Sequence, residues 1–129
     1  MVAHGTIAFD TLTTSDQVNT GTEKSLDTSY LYNGSAKSWA NYVTASTFVL
    51  NDSFNYASLT DSGAGLATHT VTNAFNNTYY SYVGMSNEVT SGASLTSKTT
   101  TTCRQYSYNS SHAATDTTEN SFLAHGDLA

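Results

Sequence analysis

AKSWANYVTASTFVLNDSFNYASLTDSGAGLATHTVT, residues 36–72, is the stretch on which the reading of the fold turns. It contains the chain's single tryptophan, its densest apolar run and its clearest turn punctuation. Residues 36–43 read as a strand carrying Trp39 and Tyr42. Successive strand side chains alternate, so these two rings point to opposite faces and the strand is expected to be central and covered on both sides. Residues 47–51, built on Phe48, Val49 and Leu50, read as a second strand, which Asn51 and Asp52 break. Residues 53–57 alternate, with Phe54 and Tyr56 on one face and Asn55 on the other. Asp61, Ser62, Gly63, Ala64 and Gly65 form a turn, because glycine permits the positive φ angles of a tight hairpin. The chain then returns over residues 66–72, with Ala67, His69 and Val71 opposite Leu66, Thr68, Thr70 and Thr72. Trp39, Phe48, Leu50, Phe54 and Tyr56 are the expected core.

Working outward, residues 79–85 read as a further strand, 95–108 as a long Thr-rich one with Arg104, Tyr106 and Tyr108 along one face, and 119–126 as the last, around Phe122, Leu123 and Ala124. No segment carries a sustained apolar stripe at helical spacing. Six or seven short strands, with turn signals every eight to twelve residues, predict an all-β chain: an antiparallel β-sandwich, jelly-roll-like. Residues 1–33 are polar, broken only by the apolar pieces around Ile7 and Phe9 and around Tyr30 and Tyr32. So little to bury predicts an extended N-terminal arm over 1–33 that docks onto something else, and a sandwich domain over 34–129 that begins at the Asn33, Gly34 turn signal.

Composition fits one domain with a modest core. Only 11% of residues are charged, and Thr, Ser and Asn make up about two-fifths of the 129 residues. Nine Tyr, five Phe and one Trp accompany them, so aromatics supply most of the area to be buried. The net charge of −6 sets ten scattered carboxylates against Lys24, Lys37, Lys98 and Arg104. Four dispersed cations form no basic patch, which argues against nucleic-acid binding and against an electrostatic membrane anchor. No signal peptide is recognisable and no apolar run approaches membrane-spanning length, so synthesis in a cytoplasm is the expectation. Cys103 stands alone, and beside Arg104 it reads as a packed strand thiol rather than a nucleophile.

Chemistry-bearing patterns are sparse. Gly84, Met85, Ser86, Asn87 and Glu88 miss the nucleophile-elbow pattern at the last position. His4, His69, His112 and His125 lie too far apart for a zinc motif, and His69 reads as a strand side chain. Asp52 and Asp61 flank a strand at loop positions, where a calcium site is imaginable, but the twelve-residue calcium loop is absent and both read as turn residues. Asn33, Asn51, Asn76 and Asn109 head N-x-S/T triplets, as expected by chance in so Ser- and Thr-rich a chain. No phosphate cradle is present. The reading is of a non-enzymatic protein without cofactor or metal. Tyr79, Tyr80, Tyr82, Tyr106 and Tyr108 read first as core and interface aromatics, and second as a sugar-facing surface.

Several segments carry a resemblance: GTIAFDT (5–11), SLDTSYLYNGSAKSWANY (25–42), NDSFNYASLTDSGAG (51–65), TNAFNNTYYS (72–81) and HGDLA (125–129). The chain resembles a family of small tail-fibre-like or structural virion proteins of tailed phages, many of them marine. Members tend to read Gly-Thr-Gly where this chain has Thr44, Ala45 and Ser46, and Arg where it has Asn51. The likeness reaches both ends of the sequence, which implies a complete family protein. It also implies a non-enzymatic component of the virion, assembled in the host cytoplasm and commonly homotrimeric, with the phage major capsid protein or a tail component as partner. A capsid decoration (cement) protein on the outer capsid surface is the leading expectation. The alternative is a tail fibre or receptor-binding protein contacting host surface glycans, with a small glycan-active enzyme as a remote third. The expected partner-binding residues are Ile7, Phe9, Tyr30 and Tyr32 of the arm, with Tyr80 and Tyr106 of the sandwich.

Overall fold

A computed structural model of the chain describes residues 11–13, 25–87 and 92–129. The chain divides into two compact units, Met1–Ser35 and Ala36–Ala129. Within the first, β1 (Thr11–Thr13) pairs antiparallel with β2 (Ser25–Asp27), and α1 (Thr28–Gly34) follows. The segment around Tyr30 and Tyr32 is therefore helical, where an extended arm was expected. At seven residues α1 is too short for an alternating pattern to be told from a helical one, and it buries none of its side chains.

The second unit is the all-β sandwich that the strand pattern predicts. One four-stranded antiparallel sheet has the order β4-β3-β10-β7, with β3 at Ser38–Val43, β4 at Val49–Phe54, β7 at Ser81–Ser86 and β10 at Asn120–His125. The other has the order β5-β6-β9-β8, with β5 at Ser58–Asp61, β6 at Leu66–Thr70, β8 at Gly92–Lys98 and β9 at Thr102–Tyr108. Asn51 and Asp52 do not break a strand. They lie within β4, which absorbs the irregularity as a register shift opposite Asn41 and Tyr42. The long strand expected over 95–108 is a hairpin, folded at residues 99–101 by Thr99, whose hydroxyl accepts from the Thr101 and Thr102 amides.

Between the sheets lie Ala40, Tyr42, Ala67, Val71, Phe75, Tyr80, Cys103, Phe122 and Ala124. Three alanines make room for rings. Phe122 stacks on His69 at 4.6 Å between centroids, Tyr42 meets the same imidazole edge-on at 4.9 Å, and Tyr56 and Tyr82 close around Phe122. Each such ring contributes roughly 1.5–3 kcal/mol on burial.

Two of the five expected core residues are on the surface instead. Leu50 and Phe54 are exposed, and Trp39 is half-buried on the outer side of its sheet, while Phe48 and Tyr56 do pack against the core. The reason for Phe54 is local. Asn55 adopts a left-handed backbone (φ 50°), which rotates the chain between Phe54 and Tyr56 and cancels the alternation that put both on one face. The Asn55 amide is held there by donating to the carbonyls of Lys37 and Asn73.

A polar clasp closes one end of the sandwich. Asn120 Oδ1 accepts from Thr117 Oγ1 at 2.6 Å and Ser86 Oγ at 2.7 Å, while the Thr117 amide donates to Thr44 Oγ1 at 2.8 Å. Thr44, Thr117 and Asn120 are all buried. Toward the other end, the closing residues pair with the segment before β7. The Ala129 amide donates to the Ala74 carbonyl, the Asn76 amide to the Asp127 carbonyl, and Phe75 bridges Leu128.

Candidate partner surfaces

The two sheets present outer faces of opposite character. On the β5-β6-β9-β8 sheet, Thr60 stands opposite Thr68 and Thr68 opposite Arg104, whose Nε donates to Thr68 Oγ1 at 3.3 Å. That rank is comfortable in water, while at one end of the same face Leu66 stands opposite Tyr106, which stacks on Tyr108. On the β4-β3-β10-β7 sheet, the register sets Phe54 opposite Trp39, Trp39 opposite Leu123 and Leu123 opposite Val83. These four side chains form one continuous apolar rank across all four strands. The next outward rank runs Asp52, Asn41, Ser121 and Met85, and beyond it Val43 faces Val49. Phe54, Val83 and Met85 are 53%, 53% and 63% exposed. Five of the sandwich's six exposed large hydrophobics among the described residues belong to β4 and β7, Tyr79 being the sixth. The expectation that β3 is covered on both faces is thus met on the Tyr42 side alone.

Sequence inspection missed this face because its apolar members are spread over four strands. The signal was present in each strand separately: Trp39 and Val43, Val83 and Met85, and Leu123 recur at the spacing of the face opposite to the core.

Of the expected partner-binding residues, Ile7 and Phe9 lie outside the described residues. Tyr30 and Tyr32 are exposed on α1, at 72% and 53%. Tyr80 is an interior residue: its ring stacks on Phe75 at 3.9 Å and its hydroxyl donates to the Thr102 carbonyl, so it is not a surface contact. Tyr106 sits half-buried on the outer face of its strand and stacks against Tyr108, which in turn stacks against His112.

A shallow recess of about 230 Å³ lies at the border of the apolar face, lined by Asn41, Met85, Asn87, Glu119 and Ser121, where Asn41 Nδ2 donates to Glu119 Oε1 at 3.3 Å. Among the described residues, no group of three His, Cys, Asp or Glu is placed to hold a metal ion. Asp61 is a turn residue, its carboxylate accepting from the Gly63 amide at 2.8 Å, and Asp52 accepts from the Ser53 amide.

Among the described residues, His69 and Cys103 are interior. Burial lowers the His69 pKa to about 3, and its Nδ1 lies 2.5 Å from the Tyr56 hydroxyl. Burial raises the Cys103 thiol to about 12, against the smaller downward pull of the Tyr80 hydroxyl and of Lys98. Burial likewise raises the tyrosine hydroxyls of Tyr42, Tyr56 and Tyr82. These groups are kept neutral and hold the two sheets together through ring contacts and hydrogen bonds. No described helix is long and apolar enough to cross a membrane. Comparison of the chain with family models, curated proteins and solved structures returns no match.

Proposed function

We propose that this chain is a non-enzymatic structural protein of a tailed-phage virion, decorating the outer surface of the capsid. The observation that carries the reading is the division of the chain into a sandwich body and a separate N-terminal unit whose helix leaves Tyr30, Leu31 and Tyr32 exposed. A seven-residue helix that buries nothing gains little from its own structure and is suited to ordering on another surface. The resemblance of the segments from GTIAFDT to HGDLA to small virion proteins supports the same reading. The partner is then the major capsid protein, and the body projects outward from the shell.

Copy number on purified particles tests this. Hundreds of copies per particle fit a capsid coat, whereas a few dozen or fewer would overturn it in favour of a tail component. Removing residues 1–35, α1 included, is expected to abolish attachment, and unchanged attachment would refute a docking role for the N-terminal unit. The exposed ring of Tyr79 and the half-buried ring of Tyr106 favour a second reading, a tail protein that grips host glycans. Tyr108 is already engaged by its own neighbours on the same face, which weakens that reading. Retention on a host-polysaccharide column, lost in Tyr106→Ala, would establish it.

A further inference from the structure

We propose that the apolar outer face of the β4-β3-β10-β7 sheet is a self-association surface, on which the same face of a second copy of this chain seats. This inference stands apart from the virion reading and would hold for a protein of any function.

The composition makes the face conspicuous. About a third of the chain is Ser or Thr, and the opposite sheet uses them on its outer side. Here one outward position on each of the four strands is instead occupied by Phe54, Trp39, Leu123 and Val83, directly opposite one another, with Met85 beside them in the next rank. Scattered exposed apolar residues need no explanation, but a contiguous rank rimmed by polar side chains marks a surface that is covered in use.

Size and charge point to the occupant. Four strands about 4.8 Å apart and six residues long give a face roughly 20 Å on each side. Two such faces pressed together withdraw on the order of 1,000 Å² from water, which reaches the lower bound for a specific interface. A smaller ligand would leave part of the rank wet, whereas an identical face matches it in extent and in character. Charge permits the pairing. Two carboxylates adjoin the face, Asp52 on the edge strand and Glu119 just before β10 with Asn41 donating to it, and both lie outside the Phe54, Trp39, Leu123 and Val83 rank, so two copies confront no block of like charge at the centre of the contact. Trp39, between Phe54 and Leu123, is the ring best placed to act as the anchor of such an interface.

The test is the mass of the full-length protein in solution by size-exclusion chromatography with light scattering, over a range of micromolar concentrations. The wild type is expected to run as an oligomer. The double variant F54K/V83K, altered only at side chains already half in water, is expected to run as a folded monomer, with association weakened more than about tenfold. Thr60→Lys, on the other sheet's outer face, is expected to stay oligomeric. A monomeric wild type, or a double variant that keeps the wild-type mass, would overturn the proposal. The latter would place self-association elsewhere, for instance in the N-terminal unit. Should the double variant fail to fold, hydrogen exchange of the wild type on dilution decides the matter. Exchange in β4 and β7 that rises as copies separate supports the proposal, and exchange independent of concentration refutes it.

Discussion

Asn120→Ala removes the centre of the polar clasp. Its carboxamide oxygen is the acceptor for two short bonds, from the Thr117 and Ser86 hydroxyls at 2.6 and 2.7 Å, in a site with 1% exposure. The substitution deletes both bonds, together with the longer contacts of Asn120 to Ser107 and Thr44, and leaves three hydroxyls without this acceptor. Each orphaned buried group costs about 1–3 kcal/mol, so a loss of roughly 3 kcal/mol is expected. For a chain of this length that lowers the unfolding midpoint by about 10 °C. Differential scanning calorimetry and urea unfolding, with an unchanged denaturant slope, would measure it. The pairwise structure of the clasp gives a sharper check. Ser86→Ala alone should cost about 1 kcal/mol and add little to Asn120→Ala, because both remove the same bond. A loss below about 1 kcal/mol for Asn120→Ala, or full additivity in the double variant, would refute the clasp as a cooperative unit.

Acid should weaken the sandwich through His69. Its folded pKa of about 3 lies below its unfolded value of 6.5, so the unfolded chain binds the extra proton and stability falls as pH drops from 6.5 toward 3. The loss is as much as about 4 kcal/mol, and His69→Gln, compared with wild type by urea unfolding at pH 7 and pH 4, should flatten this part of the pH profile. Gly65→Ala should cost at least about 2 kcal/mol in the same assay, because Gly65 has φ +65° and a Cβ there would lie 2.7 Å from the Thr115 amide nitrogen. A near-neutral result would show that both the 115 segment and the Ser107 carbonyl of β9, which lies nearer still, yield. Cys103 should resist alkylation at pH 8 in the folded protein and react on addition of denaturant, followed by intact mass. Rapid labelling of the native chain would contradict its burial.

The strands around Leu66–Thr70 and Thr102–Tyr108 were legible because each alternates strictly. Ala67 and His69 turn inward against Cys103 and Gln105, as the period of two requires. The DSGAG turn was legible for the conformational reason that two of its residues, Gly63 and Gly65, take positive φ. What failed was continuity. One non-glycine residue in a left-handed conformation, Asn55, changed which face Phe54 occupies, and Leu50, though opposite the buried Tyr42, lies on the edge strand β4 and stays partly in water; neither feature leaves a mark in composition. The apolar face was illegible for a related reason: single strands show outward apolar residues at the right spacing, but their alignment into one rank exists only in the cross-strand register. Tyr80 was misplaced because a tyrosine serves equally as core ring and as surface ring. Its partner Phe75 lies in a loop that alternation does not reach.

The strand order β4-β3-β10-β7 has a consequence for how the protein is made. β10 separates β3 from β7, so when β7 leaves the ribosome its sheet offers it no neighbour, and the inner edge of β3 stays open until residue 125 has emerged. The second sheet does not have this problem, because β8 and β9 form a hairpin and β5 and β6 another. The nascent chain therefore holds Trp39, Tyr42 and Val83 beside unpaired backbone for most of its synthesis, which is the condition under which strands of different molecules join. Folding is expected to be slow and late, limited by closure of the long segment between β3 and β10. Expression yield should respond more to mutations in β10 than their effect on final stability would suggest.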